Sequence, residues 1–243
     1  MNIVLAHGVI GELIFGGKPY FNGVAAHLQH VFGADVLETK ADVKSVAFRS
    51  KQLRQQVVDR FGAAPHDPLI IIAHSMGGLD TRQMLTDDPA LARHVNSVTC
   101  IGTPHHGSPV ATLFNAANPL RLLGQFAADL NAMNDLSEEG AKAIDARCGD
   151  HPHIRYREVV GIGRREAPHT SFVLRVTSTF IDGENDGIVP AASALPPGRT
   201  LFERVHADHA DLVGHDADDV PDFRPLKFDH LPLYERIVRD ATA

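Results

Sequence analysis

The chain carries short apolar runs with no polar alternation, separated by longer stretches whose apolar residues recur every three or four positions. Asn2-Ile3-Val4-Leu5-Ala6-His7-Gly8 and Leu69-Ile70-Ile71-Ile72 are the clearest runs, and 98–102, 155–161 and the short Asp35-Val36-Leu37 are further ones. Bulky, largely β-branched runs of this length predict parallel strands buried on both faces of a sheet. Between them, Tyr20, Phe21, Val24, Leu28 and Val31 fall at helical spacing. Residues 45–61 do the same, with Leu53, Val57 and Phe61 on one face and Gly62 at the predicted end. The regular exchange of strand and helix implies βαβ units and a parallel sheet covered by helices. Residues 171–181 are rich in β-branched residues yet place Phe172, Val176 and Phe180 four apart, so the pattern leaves strand and helix both open.

The run at 69–72 stops abruptly in Ala73-His74-Ser75-Met76-Gly77-Gly78, ahead of a helix predicted over 76–85. Strand, serine among small residues, then helix is the pattern of a nucleophile elbow, G-x-S-x-G, with Ala73 in the first glycine position. A serine that merely capped the helix would need neither the preceding apolar strand nor small residues on both sides. If the strand at 2–8 lies beside it, the loop at Val9, Ile10 and Gly11 turns main-chain N–H groups toward Ser75. Val9 and Met76 are then the expected oxyanion donors.

A serine hydroxyl needs a base, and the base needs an orienting carboxylate. Downstream, Glu184-Asn185-Asp186-Gly187 is a turn sequence suited to the loop beyond a strand end, and Asp186 is the expected acid, with Asp182 and Glu184 as rivals. The same stretch partly imitates a calcium-binding EF-hand loop, but Ser193 occupies the position that needs glutamate. Three histidines follow in Val205-His206-Ala207-Asp208-His209-Ala210-Asp211-Leu212-Val213-Gly214-His215. His209, entering an apolar turn, is the expected base, and His206 is the reserve.

Composition narrows the classes. With 243 residues, 44% of them hydrophobic, the chain can bury one substantial core. A net charge of −7 with scattered basic residues gives no footprint for nucleic acid. No signal-type segment opens the sequence and no apolar run reaches transmembrane length, so a cytoplasmic protein is expected, or a secreted one if the sequence is a mature form. Cys100 in an apolar run and Cys148 in polar surroundings are expected to be free thiols.

Together the motifs resemble those of bacterial triacylglycerol lipases and carboxylesterases of the α/β-hydrolase superfamily. Val4-Leu5-Ala6-His7-Gly8 resembles the oxyanion strand, Ala73 to Gly78 the elbow, and Gly102-Thr103-Pro104-His105-His106-Gly107-Ser108 the segment after the following strand. Asn185-Asp186-Gly187 resembles the acid loop, and His209-Ala210-Asp211, 23 residues on from acid to base, the histidine loop. The likeness covers residues 1–115 and 183–215. It implies an α/β-hydrolase fold, with a mostly parallel central sheet flanked by helices, as one domain over 1–243. A helical cap is expected at about 109–150, where Leu120, Leu122, Leu123, Phe126, Leu130 and Met133 interleave with alanine, although an ordinary core helix would carry the same stripe. It also implies hydrolysis of apolar acyl esters through Ser75, His209 and Asp186, by a monomer that needs no cofactor. A thioesterase or acyltransferase would use the same triad, and a binding protein could share the fold. Neither nucleic acid nor integral membrane association is expected, only transient contact with a lipid interface. The family's calcium site is half matched: Asp211 supplies one carboxylate, no clear partner precedes Asp186, and His215 stands where glutamine is usual, so no metal is expected.

Overall fold

The computed structural model describes residues 1–9, 19–111, 130–163, 170–215 and 228–243. Six strands form its sheet: β1 (Asn2–Ala6), β2 (Asp35–Glu38), β3 (Leu69–His74), β4 (Val95–Ile101), β5 (Arg155–Gly161) and β6 (Leu201–Val205). They lie in the order β2-β1-β3-β4-β5-β6, and every pairing between these strands is parallel. The helices between them are α1 (Val24–Phe32), α2 (Val46–Phe61), α3 (Met76–Asp87), α4 (Pro89–Ala92), α5 (Leu130–Asp135), α6 (Glu138–Arg147), α7 (Phe172–Ser178) and α8 (Ala191–Ala194). Helix α9 (Leu231–Thr242) follows the last strand.

The apolar runs have a direct cause. In β1 and β3, Ile3, Leu5, Ile70 and Ile72 pack on one face of the sheet with Val24 and Leu28 of α1 and Leu233, Ile237 and Val238 of α9. Val4, Ala6, Leu69, Ile71 and Ala73 pack on the other with Leu53 and Val57 of α2 and Met84 and Leu85 of α3. A strand covered on both sides has no polar face, and each large aliphatic so buried contributes about 1.5 to 3 kcal/mol. The chain leaves β1 for β2 on one side and returns to β3 on the other. The carboxyl ends of β1 and β3 therefore flank the crevice where open parallel sheets bind ligands.

Several expectations take definite form. Residues 171–181 are helical over Phe172–Ser178, but Val176 and Phe180 are exposed while Leu174 and Ser178 face inward, so spacing by four did not mark the buried face. Of the segment at 109–150, residues 112–129, with Leu120, Leu122, Leu123 and Phe126, lie outside the described residues. Beyond it, Ala132, Met133, Leu136, Ala141, Ile144 and Cys148 share one cluster with Val9, Met76 and Leu79, so α5 and α6 are continuous with the body beside the elbow helix. Cys148, set among polar residues in sequence, is fully buried, and it and Cys100 are both free thiols. Val31, counted with the apolar stripe of α1, is exposed. Helix α9 carries its own stripe, Leu233, Tyr234, Ile237, Val238 and Ala241, all buried. No helix among the described residues is long and apolar enough to cross a membrane.

Candidate active site

β3 delivers Ser75 into a backbone conformation of φ 55° and ψ −133°, the only positive φ at a non-glycine residue among those described. Such strain costs on the order of 1 to 3 kcal/mol and persists only where the surroundings impose it. Here they do: Ser75 N–H donates to Ile101 O at 3.0 Å, which extends the β3–β4 ladder by one rung, and α3 starts at the next residue. A Cβ on Gly77 would stand 2.3 Å from Ala6 O, so only glycine lets α3 settle this closely on the end of β1. Ala73, which replaces the motif's first glycine, is fully buried in β3 and points its methyl into the cluster of Val4, Leu53 and Val57. That space is already apolar, so the methyl adds packing rather than a clash.

Asp186 and His209 meet as the sequence suggests. Asp186 Oδ2 lies 2.7 Å from His209 Nδ1, and His209 N–H donates to Asp186 O at 2.9 Å. The second carboxylate oxygen accepts from Ile188 N–H at 2.9 Å and Val189 N–H at 2.6 Å, which locks the acid in its turn. Asp182 and Glu184 are exposed, and Glu184 pairs with Arg204 at 2.6 Å, so neither rival reaches a histidine of this loop. His206 is exposed, whereas the His209 ring lies tilted against that of His74, the residue before Ser75, with centroids 4.5 Å apart. Asp208 anchors the loop by accepting from Ser171, Ala210 and Asp211 N–H. Tyr234 O–H of α9 donates to Leu212 O at 3.0 Å and holds the turn after His209 onto the sheet.

The first residues after β1, His7 to Val9, are fixed as firmly. A Cβ on Gly8 would stand 2.7 Å from Ser75 Cβ and 2.6 Å from Tyr20 Oη, so the chain passes the serine as close as glycine allows. Val9 and Met76 are buried in one cluster, and neither N–H has a main-chain acceptor among the described residues. The guanidinium of Arg49, from α2, is wholly buried and reaches His7 O, Asp42 O and Asp80 Oδ2, each at 2.8 Å. It thereby ties the end of β1 to the elbow helix. Burial raises the Asp80 carboxyl to about 6, and Arg49 offsets only part of that rise.

Three aromatic groups complete the floor. Tyr20 stacks on His7 at 4.8 Å, and its hydroxyl lies 2.6 Å from His74 Nδ1. Burial holds His74 well below the ordinary histidine range, and the neighbouring His209 adds to the effect. His7, Tyr20, Arg49, His74 and Asp80 were missed as site residues in the sequence. His7 and His74 lie inside motifs that were recognised, but nothing local pairs residues 20, 49 and 80 with them.

Whole-chain comparison identifies the fold. The metagenomic carboxyl esterase MGS0156 superimposes with a TM-score of 0.83 over 100% of this chain and 75% of its own, at 21% identity. The fold is the α/β-hydrolase fold of lipases and esterases. The mature Bacillus licheniformis lipase BlEst2 shares this hydrolase fold with a TM-score of 0.66 over 87% of this chain and 86% of its own, at 22% identity. In sequence, the PGAP1-like alpha/beta domain matches residues 50–137, a span that includes the elbow but stops short of Asp186 and His209. A triacylglycerol lipase of Vibrio cholerae is 34% identical over 121 residues, 48% of this chain and 36% of that protein. One of Burkholderia plantarii is 33% identical over 114 residues, 45% of this chain and 31% of that protein. The likeness thus spans about a third of the length of these curated relatives.

Among the described residues one group of side chains has the makings of a metal site, and a second place, near Asp211, was an open question from the sequence. Cys100, His105 and Glu158, all buried, bring ligand atoms within 4.8 Å of one another. His105 Nε2 is already 3.0 Å from Glu158 Oε2, and Arg199 stands 3.9 Å from the other oxygen, so the carboxylate has its counter-charge without a metal. Burial and Glu158 also push the Cys100 thiol up, which disfavours the thiolate a metal would need. Near Asp211, the His215 ring nitrogen lies 2.8 Å from Pro19 O and 3.0 Å from Tyr20 O, so it serves as a donor to carbonyls.

Proposed function

We propose that the chain is a carboxylic ester hydrolase for apolar acyl esters, with Ser75 as nucleophile, His209 as general base and Asp186 as the carboxylate that orients it. The observation that carries this reading is the strained Ser75 elbow beside the 2.7 Å Asp186–His209 pair. Ser75 Oγ attacks the acyl carbonyl, and its proton passes to His209 Nε2 while Asp186 holds Nδ1–H and stabilises the imidazolium. The oxyanion of the tetrahedral intermediate is met by Val9 and Met76 N–H, donors in place before the charge develops. His209 returns the proton to the leaving alkoxide, an acyl-Ser75 ester remains, and water activated by the same base hydrolyses it. The lipase relatives and the esterase and lipase folds support an acyl ester as substrate.

A chain-length series of nitrophenyl esters tests the proposal. Hydrolysis with an initial burst of nitrophenol equal to the enzyme concentration is the expected result, with kcat/KM rising from acetate toward medium chains. Turnover that survives in Ser75→Ala would sink the mechanism. Calcium is expected to be dispensable, because His215 is committed to two carbonyls and offers Asp211 no oxygen partner. Chelator should leave both rate and melting temperature unchanged; a loss restored by calcium would overturn this.

A further inference from the structure

We propose that His7 is a positioning residue of the oxyanion hole, because its ring aims the Gly8–Val9 peptide unit and so directs Val9 N–H at the reacting carbonyl. The assignment rests on the reading of Val9 as an oxyanion donor. One peptide plane carries both Gly8 C=O and Val9 N–H, which point to opposite sides of a trans unit. His7 Nδ1 lies 2.6 Å from Gly8 O, close enough to fix that plane from its carbonyl side.

The ring itself is held in one protonation state by geometry. Ala41 N–H donates to His7 Nε2 at 2.8 Å, so Nε2 must carry a lone pair and the single ring proton must sit on Nδ1. Nδ1–H is then the donor to Gly8 O. The groups facing the ring agree: Arg49 reaches His7 O from α2, Tyr20 stacks on the ring at 4.8 Å, and His74 lies beyond Tyr20 on β3. None of them is an anion that would favour a protonated imidazole. Asp80 is spent on Arg49. Burial accordingly lowers His7 to about 4, with Arg49 contributing and the Gly8 hydrogen bond opposing. At neutral pH the ring is a neutral donor, held at Nε2 by Ala41 and aimed through Nδ1 at Gly8 O.

Freed from this hold, the Gly8–Val9 unit could rotate, since glycine imposes little of its own. An oxyanion donor that is present but misdirected loses its value in the transition state while ground-state binding is spared. The loss should therefore fall on kcat and leave KM nearly unchanged.

Two variants separate this role from simple packing. Asparagine places an amide nitrogen where His7 has Nδ1 and can still donate to Gly8 O, whereas glutamine reaches only the Nε2 position and can satisfy Ala41 alone. His7→Gln should lower kcat by roughly 10- to 100-fold, somewhat less than deletion of a donor, while His7→Asn recovers most of the rate. Binding of a trifluoromethyl ketone, whose adduct places an oxyanion in the hole, should weaken in His7→Gln in proportion to kcat/KM. Melting temperatures recorded alongside identify any variant that fails to fold; in that case the asparagine variant and the ketone series decide. If both variants keep wild-type kcat, or if rate tracks melting temperature with glutamine no worse than asparagine, His7 is only a packing residue and the assignment falls. A fluorophosphonate probe keeps the premises apart: wild-type protein that fails to label at Ser75 would overturn the triad itself, whereas labelling at Ser75 alongside unaltered His7 variants overturns only the role of His7.

Discussion

Replacing Ser75 by alanine is expected to abolish ester hydrolysis, with kcat falling on the order of 10⁵-fold, and to remove all labelling by a fluorophosphonate probe. The residue sits on a backbone that only a tightly built elbow would hold at φ 55°. His209→Ala should be almost as severe and the double variant no worse, because nucleophile and base act as one unit and losing either removes most of their joint effect. His206→Ala should change kcat less than about threefold, since its ring is exposed and the carboxylate is already bonded to His209. Burst kinetics on the purified variants read all four results. Near-normal turnover in His209→Ala with loss in His206→Ala would transfer the base to His206.

The second large effect is on stability. Arg49→Leu should destabilise the fold by about 3 to 5 kcal/mol at pH 8, since it strands the Asp80 carboxylate in the core and unbinds the carbonyls of His7 and Asp42. For a chain of this size that lowers the melting temperature by roughly 10 °C. The loss should be smaller at pH 5. Asp80 has its folded-state value raised to about 6 even beside Arg49, and without the guanidinium that value rises further. The folded variant then binds the extra proton, so its stability falls as pH climbs from the unfolded value near 4 through the folded one. A deficit that is equal at pH 5 and pH 8, measured by urea titration, would show that the carbonyl contacts matter and the ion pair does not. Arg49→Lys keeps the charge but cannot reach three acceptors at once, and should lose activity before it loses stability.

What the sequence disclosed follows the reach of its signals. Period and run length lie within a few residues of one another, so β1 to β5, α1, α2 and α3 were legible, as was the turn chemistry around Ser75 and Asp186. Choosing His209 over His206 depended on the apolar turn after it, and the structure places that ring, not its neighbour, against Asp186. The segment 171–181 stayed open because β-branched residues and spacing by four gave opposite advice. Its helix is fixed at the N-terminus by Asp208, 37 residues away, which no local pattern can announce. Likewise His7, Ala41, Arg49 and Asp80 are brought together by the sheet crossover, and only in three dimensions does a histidine at a strand end acquire a fixed tautomer.

The bond from Tyr234 to Leu212 O has a consequence for the order in which the protein is made. Ser75 and the loop beside it lie before position 81 and the strand that completes the elbow ends at Ile101, whereas Asp186 and His209 come after 185 and the helix that pins their loop spans Leu231–Thr242. On a ribosome Ser75 therefore emerges long before His209, the base proposed for it. Under the proposed mechanism, a growing chain carries an inert Ser75 until the helix Leu231–Thr242 has docked on the loop that holds His209.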